Sequence, residues 1–400
     1  MTTLVACPTL AERSSPSLRA MTVFAAVAAM TFSAAGAAPT PLYHAYQEAF
    51  GLTPATITGI FAVYAFSLLA ALLTAGSLSD HLGRRPVIAA ALLLNMLAMG
   101  LFMTAHSAAM LIAARSVQGF ATGIATATLG ATILDTDRAR GPVLNSLTAF
   151  IGLSIGNVVS GLLVTFAPDP MQLVYVLMLG LSVAEALVLF AMPETTRRRP
   201  GALASLRPHI HVPPQARRTL ALVTPANVAF WALGGFYFSL MPSLVRLATG
   251  LEQPFVGGFV VAAFTGSGAA AVFALRNHAP ARLLTGGIVA LVVGVSITLA
   301  GVAAASAVLM LAGTVISGAG FGAAFSGAMR LVMPLAQPQE RAGLLSAFYV
   351  ESYLAFAAPA LLLGLLAPEV GLATAAYFYG AAVIGLALVS LVLGRRPSGP

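Results

Sequence analysis

The stretch GSLSDHLGRRP, residues 76–86, decides the fold because it joins two long apolar runs. Its two glycines allow a tight turn, since glycine adopts backbone conformations that other residues avoid. Asp80, Arg84 and Arg85 place charges of both signs in a link too short to form a domain. Pro86 stands where a following helix would begin, a position at which the missing N–H of proline costs nothing. The stretch therefore indicates a short, charged connection between two helices.

The runs on either side, residues 55–75 and 87–104, are long enough to cross a membrane as helices. A bilayer-spanning helix needs about 20 apolar residues. The whole chain is 59% hydrophobic and 8% charged, whereas a soluble domain carries about a quarter charged residues. The composition excludes an ordinary soluble globular protein.

Ten further runs of this kind follow the same pattern, so the sequence predicts an all-α membrane protein with twelve transmembrane helices. The alternative, a barrel, is excluded because the runs are too long for barrel strands, and helices satisfy their own backbone hydrogen bonds in lipid. The predicted spans are 20–41, 55–75, 86–105, 108–134, 143–166, 172–192, 219–245, 255–275, 281–303, 306–331, 342–366 and 372–393.

The arginines predict how these spans are oriented. The chain has 20 basic residues, all of them arginine, and a net charge of +8. With both termini in the cytoplasm, all but Arg115 and Arg246 fall on the cytoplasmic side, as expected where basic loops stay inside. We therefore attribute the charge to cytoplasmic loops of an inner (plasma) membrane protein and expect no nucleic-acid partner. The single cysteine, Cys7, excludes an internal disulfide framework, and the first residues predict no cleaved signal peptide.

Three motifs carry a resemblance to a known family. The pattern G-x-L-x-D-x-x-G-R-R in residues 76–86 closely resembles the signature loop between the second and third spans of the Major Facilitator Superfamily. Residues 115–119, RSVQG, resemble the R-x-x-Q-G pattern of its fourth span. Residues 152–161 resemble the fifth-span motif of the twelve-span drug:proton antiporter branch, with Asn157 in place of proline and Ser160 in place of glycine.

The resemblance implies two pseudo-symmetric six-helix bundles with the substrate site between them. Within the sequence, Gly119 and Gly123 of the fourth span match Gly318 and Gly322 of the tenth. Small residues at this spacing are also common in unrelated membrane helices. The predicted division is a cytoplasmic segment 1–19, a bundle 20–193, a basic linker 194–218, a bundle 219–394 and a cytoplasmic tail 395–400.

The resemblance also implies that the loop is a conformational latch. Asp80 would lie near the N-terminus of the eleventh helix, where the helix dipole favours a carboxylate, and would close the cytoplasmic side. Asp135 or Asp137, at the end of the fourth span, would complete the relay through Arg84. His81 stands where the family usually has arginine, so it is either a pH-sensitive element or a solvated loop residue. The residues assigned to the latch are Gly76, Asp80, Gly83, Arg84, Arg85 and Asp135.

Three ionisable residues within spans are candidates for proton coupling. Such residues are costly in lipid unless they find water or a partner, and are functional candidates for that reason. Glu351, about nine residues into the eleventh span, is the first candidate, and Glu185 in the sixth span is the second. Arg115 matches an arginine that the resemblance links to proton transfer. The alternatives are a structural, hydrogen-bonded Glu351 and an Arg115 that reaches the membrane surface.

The expected substrate cavity has contributions from both halves. Gln118 and Thr122 share a helical face with Arg115, and Asn227 lies one turn from Trp231 in the seventh span. Trp231 is central in its span, so it would stack on an aromatic or cationic substrate or pack in the core. Tyr349 completes the predicted cavity from the eleventh span.

The sequence contains no phosphate loop, no metal-ligand spacing and no nucleophile arrangement, so we expect neither an enzyme nor a cofactor or metal. We predict a monomeric secondary transporter working by alternating access, which exports small amphipathic compounds in exchange for protons. The alternatives are uptake or facilitated diffusion of a small metabolite, and a membrane receptor or sensor that does not transport. The substrate itself has no signature in the sequence.

Overall fold

A computed structural model of the chain describes residues 16–208, 210–251, 253–337 and 340–394. Within these ranges the protein is all-α, and twelve helices are long and apolar enough to cross a membrane. They are α1 Pro16–Ala37, α2 Pro54–Ala75, α3 Arg84–Met103, α4 Ala108–Thr136, α5 Gly141–Phe166, α6 Pro170–Leu189, α7 Pro214–Ser239, α8 Pro254–Ala274, α9 Pro280–Ala303, α10 Ala307–Val332, α11 Arg341–Val370 and α12 Leu372–Gly394. The predicted fold class is confirmed.

The helices begin where the sequence offers a cap or a proline. The side chains of Thr53, Ser107 and Ser306 accept hydrogen bonds from the first turns of α2, α4 and α10, which satisfies one of the backbone N–H groups left unpaired there. Proline stands in the first turn of α2, α5, α6, α7, α8 and α9, where its fixed φ suits a helix.

Short helices follow α1 and α7, one in the predicted first outer loop and one that begins within the predicted span 219–245. α1 ends at Ala37, four residues before the predicted end, and a turn leads into the helix Tyr43–Phe50. α7 ends at Ser239 and is followed by the helix Met241–Thr249. Proline within or just after each predicted end limits the helix there. We call this end of the bundle the short-helix end, and the end that carries residues 76–86 the loop end.

The linker is shorter than predicted because α7 begins at Pro214. Residues 214–218, assigned to the linker from their charges, form the first turn of this helix. A proline at the first helical position starts the helix before the apolar run begins. The predicted domain boundaries otherwise stay a prediction.

The two six-helix halves repeat one packing arrangement. A Cβ atom added to Gly119 or Gly123 of α4 would collide with the backbone carbonyls of Tyr64 and Leu68 on α2. In the second half, Gly318 and Gly322 of α10 lie in the same way against the carbonyls of Phe264 and Gly268 on α8. Glycine permits this close approach of two helix backbones. The same register therefore recurs in both halves, α2 with α4 and α8 with α10.

Two helix pairs join the halves. α2 packs against α11, with the rings of Phe61 and Phe356 5.0 Å apart. α5 packs against α8, where Ser154 Oγ donates to the carbonyl of Ala262 at 2.7 Å. Near the short-helix end, Thr165 Oγ1 accepts from the backbone N–H of Phe255 at 2.9 Å. Both pairs hold the halves together from the short-helix end to the middle of the bundle.

Candidate functional site

Arg84 organises the loop end of the first half. Its side chain is buried, although it stands at the first residue of α3. Nε donates to Asp135 Oδ2 at 2.9 Å, and Nη1 contacts Ser79 Oγ at 2.7 Å and Asp80 Oδ1 at 2.5 Å. The guanidinium thus connects the loop, the start of α3 and the end of α4. The structure brings together Asp80, Arg84 and Asp135, whereas Asp137 accepts the backbone N–H of Arg140 instead.

The N-terminus of α3 is capped from a distant part of the chain. Glu194, just after α6, accepts the backbone N–H groups of Arg84 at 2.8 Å and Arg85 at 3.1 Å. The Arg85 side chain donates to the carbonyl of Phe190 at 2.9 Å. Gly83 has φ +98°, which only glycine adopts readily, and a Cβ there would press on the Glu194 carboxylate. A carboxylate at a helix N-terminus is favoured by the helix dipole.

The linker lies along the same loop. The carbonyl of His81 accepts the N–H of Arg199 at 2.9 Å, and His81 Nδ1 lies 3.0 Å from the carbonyl of Pro200. Ser77 Oγ donates to the carbonyl of Ser205 at 3.2 Å. His81 is therefore held by the linker and is not simply a solvated side chain. Gly76 ends α2 with ordinary helical torsions, close to Ala127 of α4.

Asp80 faces its own half in this structure. Its side chain is 54% exposed and pairs with Arg84. Within the described residues it makes no hydrogen bond or ion pair with α11. The start of α11 instead has Glu340, whose carboxylate accepts from Gln215 Nε2 at 2.8 Å and the N–H of Gln337 at 3.0 Å. The expected contact of Asp80 with the eleventh helix stays a prediction for another conformation.

Arg115 lies inside the first half, with only 1% of its surface exposed. Nη1 donates to the carbonyl of Gly36 at 3.0 Å and to Gln118 Oε1 at 2.7 Å, and Nη2 donates to the Tyr43 hydroxyl at 2.6 Å. The guanidinium carbon also lies 4.6 Å from the ring centre of Tyr64, a favourable cation–π distance. Arg115 therefore bridges α4, α1 and α2 and does not reach the membrane surface.

No carboxylate lies within ion-pair distance of Arg115 among the described residues, and its Nε has no hydrogen-bond partner there. Gln118 Nε2 donates to the carbonyl of Ala35 at 2.8 Å, and Thr122 Oγ1 donates to the carbonyl of Gln118 at 2.8 Å. Both side chains are buried in helix packing. Among the described residues, this positive charge inside the bundle is stabilised by neutral oxygens and aromatic rings.

Glu351 links α11 to α7 within the second half. Its Oε2 accepts from Thr224 Oγ1 and its Oε1 from Asn227 Nδ2, both at 2.9 Å. Asn227 also donates to Ser352 Oγ at 3.1 Å. Glu351 is half-buried, whereas Asn227 and Ser352 are fully buried. The carboxylate thus has neutral donors and, among the described residues, no cation within ion-pair distance.

Glu185 occupies a comparable setting in the first half. Its Oε1 accepts from Thr31 Oγ1 of α1 at 2.6 Å, and its Oε2 is buried without a partner in the described residues. Only 8% of the residue is exposed. The two acidic candidates therefore lie in separate halves, Glu185 bound to α1 and Glu351 bound to α7.

An aromatic cluster surrounds Trp231 between the halves. Its ring centre lies 5.2–6.2 Å from those of Phe321, Phe325, Tyr353 and Phe356. Tyr349 extends the cluster, 6.0 Å from Tyr353. The indole Nε1 is buried without a hydrogen-bond partner in the described part of the chain. Aromatic rings and an unused donor form a surface suited to a flat, amphipathic ligand.

Several contacts of the candidate site were not predicted from the sequence. The N-cap residue Glu194 and the hydroxyl donors Thr31 and Thr224 are distant in sequence from the groups they bind. Tyr43 and Tyr64 flank Arg115 from two different helices. A buried charge needs hydrogen-bond or ion-pair partners. This requirement predicts that such partners exist but does not identify the residues.

Comparison with known protein families identifies the family of this chain. The family model of the Major Facilitator Superfamily matches residues 23–277. The chain belongs to the Major Facilitator Superfamily. No curated protein sequence matches the chain. The signature loop, the fourth-span motif and α8 all lie within the matched residues.

Solved structures of other transporters share this superfamily fold. The human organic anion transporter MFSD10 (TETRAN) has 17% identity and a TM-score of 0.69, with 94% of this chain and 100% of that chain covered. The nucleoside transporter NupG has 14% identity and a TM-score of 0.72, with 93% and 99% covered. The proton:xylose symporter XylE, bound to 6-bromo-6-deoxy-D-glucose, has 11% identity and a TM-score of 0.68, with 94% and 95% covered. At these identities the likeness shows the fold alone.

Membership and fold establish a multi-pass membrane protein of the secondary-transporter class. Members of the superfamily bind small-molecule substrates, and this fold points to transport and not to enzymatic catalysis. In such folds the substrate site lies near the middle of the bilayer, between the two halves. The Trp231 cluster contacts the first half, because the ring of Phe356 lies 5.0 Å from that of Phe61.

Proposed function

We propose that this Major Facilitator Superfamily protein exports small aromatic or amphipathic compounds in exchange for protons, as in the drug:proton antiporter branch. The observation that carries the proposal is that the candidate proton site and the candidate substrate surface share the helix pair α7 and α11. Asn227, which binds Glu351, lies one turn before Trp231 on α7. Glu351 itself lies two residues before Tyr353, a member of the aromatic cluster.

This proximity supplies a route for coupling. The Glu351 carboxylate accepts from Thr224 and Asn227, and a protonated carboxyl has one acceptor fewer and one donor more. Protonation therefore rearranges the hydrogen bonds that set the spacing of α7 and α11. Because Trp231 and Tyr353 lie on the same two helices, that rearrangement changes the shape of the substrate surface.

Arg115 is proposed to tune proton release electrostatically. It is a fixed charge in the first half, while Glu351 lies in the second, so their separation changes as the halves rock. In this structure the hydrogen bonds of Arg115 within the described residues all go to its own half. Glu185 is the reserve proton site, since it too is a buried carboxyl with neutral donors.

The decisive test uses Glu351→Gln in proteoliposomes with an imposed pH gradient. The amide mimics a permanently protonated side chain, so we expect pH-driven substrate accumulation to be abolished while substrate counterflow without a gradient remains. Glu369→Gln is the matched control, because Glu369 lies on the same helix and is exposed. Full pH-driven transport by Glu351→Gln would reject Glu351 and move the assignment to Glu185 or to another coupling ion.

The substrate is found first by thermal-shift screening of the purified protein against a compound library, because a ligand stabilises the state that it binds. Hits are then tested for counterflow in proteoliposomes. Accumulation in the direction of the proton flow would favour uptake of a metabolite. Binding without counterflow would favour a receptor or sensor.

Trp231→Ala should weaken binding of aromatic hits by about tenfold, whereas Phe190→Ala, at an exposed site outside the cluster, should leave it unchanged.

A further inference from the structure

A cavity of about 190 Å³ lies between the halves at the short-helix end, away from the Trp231 cluster. The first half contributes the segment after α1 and the start of α2, and the second half contributes the segment after α7, the start of α8 and the junction of α11 and α12. Most of the wall is apolar, with side chains such as Ile57, Val256 and Leu372. A cavity of about 150 Å³ suffices to bind benzene in another protein, so a single aromatic ring fits here.

One wall of the cavity carries a cation. Arg246, in the last turn of the helix Met241–Thr249, lines the cavity and makes no side-chain hydrogen bond or ion pair within the described residues. His44 also lines the cavity, but its Nε2 lies 3.0 Å from Glu48 Oε1, so a protonated His44 is already compensated. Among the described residues that line the cavity, Arg246 is therefore the charged side chain that has no ion-pair partner.

The wall contributed by the first half carries a hydroxyl group, that of Thr40. Thr40 is only 3% exposed, lines the cavity, and its Oγ1 has no hydrogen-bond partner in the described chain. Buried hydroxyls normally have a partner, because an unsatisfied one costs free energy. Tyr43 also lines the cavity, and its hydroxyl oxygen accepts from Arg115 at 2.6 Å. A second positive charge therefore lies directly behind this wall.

We propose that this cavity is a binding site for a small aromatic carboxylate, separate from the central aromatic cluster. The ring occupies the apolar wall, and the carboxylate pairs with the Arg246 guanidinium and accepts from Thr40. Arginine suits this role because its planar donors match the two oxygens of a carboxylate. Since the two walls belong to different halves, an occupied cavity holds the halves together at the short-helix end. The inference does not depend on proton coupling or on the direction of transport.

The test measures binding and not transport. The full-length protein is placed in phosphatidylcholine nanodiscs, which lack anionic lipid, and titrated calorimetrically with benzoate and with its neutral analogue benzamide. We expect saturable benzoate binding and at least tenfold weaker benzamide binding. Arg246→Gln should weaken benzoate binding about tenfold and Thr40→Val about threefold, in line with the loss of a charged and a neutral hydrogen bond. Arg246→Lys keeps the charge and should lose less than Arg246→Gln.

The matched control is Arg282→Gln, which removes the same charge from an exposed site at the start of α9, at the loop end. It should bind benzoate like the wild type. Equal binding of benzoate and benzamide, unchanged binding by Arg246→Gln, or equal loss in Arg282→Gln would each overturn the proposal. So would the absence of saturable benzoate binding by the folded wild-type protein.

A second measurement places the ligand. Ser243 also lines the cavity, and the natural chain has one cysteine, Cys7. In a Cys7→Ser background, Ser243→Cys is labelled with a charged maleimide with and without benzoate. Benzoate, but not benzamide, should slow the labelling at least threefold. Labelling at the same rate with saturating benzoate would show that the ligand binds elsewhere and would reject this cavity.

Discussion

Arg84 Nε and Asp135 Oδ2 lie 2.9 Å apart and tie the first residue of α3 to the end of α4. The pair crosses 51 residues of sequence and involves an arginine side chain that is only 7% exposed. Because Asp80 contacts the same guanidinium, the two carboxylates share one cation. If Asp80 moves toward the other half, Arg84 keeps its bonds to Asp135 and Ser79.

This relationship separates the two acidic residues at the end of α4. Asp135→Asn should lower the free energy of unfolding by about 1 kcal/mol, because the pair is partly exposed and Arg84 keeps Asp80, and should slow transport. Asp137→Asn is the control, since its side chain caps the N–H of Arg140 and an amide oxygen also accepts. Thermal unfolding and initial flux are measured for both. Equal effects of the two variants would contradict a specific role for Asp135.

The cap supplied by Glu194 gives a second prediction. Glu194→Ala should destabilise the start of α3 by about 0.5–1 kcal/mol, the low end of the range for caps, because Glu194 is exposed. Glu194→Gln retains an acceptor oxygen and should destabilise the start of α3 less than Glu194→Ala does. Hydrogen exchange of the amides of Arg84 and Arg85 reports the change directly. Unaltered protection of these amides in Glu194→Ala would show that the cap contributes nothing.

The buried guanidinium gives a third prediction. Arg115→Lys keeps the charge but cannot reproduce the bonds to Gly36, Gln118 and Tyr43 together, because lysine lacks the planar fork of donors. We expect about tenfold slower transport and a lower melting temperature. Arg276→Lys at an exposed site is the control. If Arg115→Lys transports at the wild-type rate, the charge alone matters and the hydrogen-bond geometry does not.

The glycine packing gives a fourth prediction. Gly119→Ala places a methyl group against the Tyr64 carbonyl and should cost about 1–3 kcal/mol. Gly318→Ala should have the same effect in the second half, against the Phe264 carbonyl. Gly100→Ala meets no atom within 4 Å and should be neutral or slightly stabilising. The unfolding midpoints of the three variants in detergent test whether the packing is repeated in the two halves. An unchanged midpoint for Gly119→Ala or Gly318→Ala would contradict the repeated packing.

The orientation gives a fifth prediction. The basic loops at the loop end predict that this end faces the cytoplasm. A cysteine at Ser205, in a Cys7→Ser background, should react with an impermeant thiol reagent only after the cells are permeabilised. Labelling from outside intact cells would reverse the proposed topology.

The fold was predictable from the sequence because each apolar run has one low-energy solution in lipid, a helix. The signature loop and the paired glycines also predicted the arrangement of helices in the first half. The ends of α1 and α7 were missed because the apolar character continues past the point where proline stops the helix, as at Pro242. Hydropathy depends on amino-acid composition, whereas the position of a helix end depends on backbone geometry.

The candidate site was predictable only in part. Arg115 and Glu351 stand out because charges are rare in spans, but their neighbours do not. Glu194 lies 110 residues from the N–H of Arg84 that it caps, and no periodic pattern joins residues so far apart. Tyr64 is an ordinary aromatic residue in the sequence, and only the packing of α2 against α4 brings its ring beside Arg115.

The contact between Ser77 and Ser205 limits how far the two halves can separate at the loop end. The linker is fastened to the first half up to Ser205, and His211 donates its N–H to the carbonyl of Gly343 on the second half at 3.3 Å. While both attachments hold, the free tether is six residue steps, which reach about 20 Å when fully extended. The length of this connection therefore sets an upper bound on the distance by which the two halves can separate at the loop end.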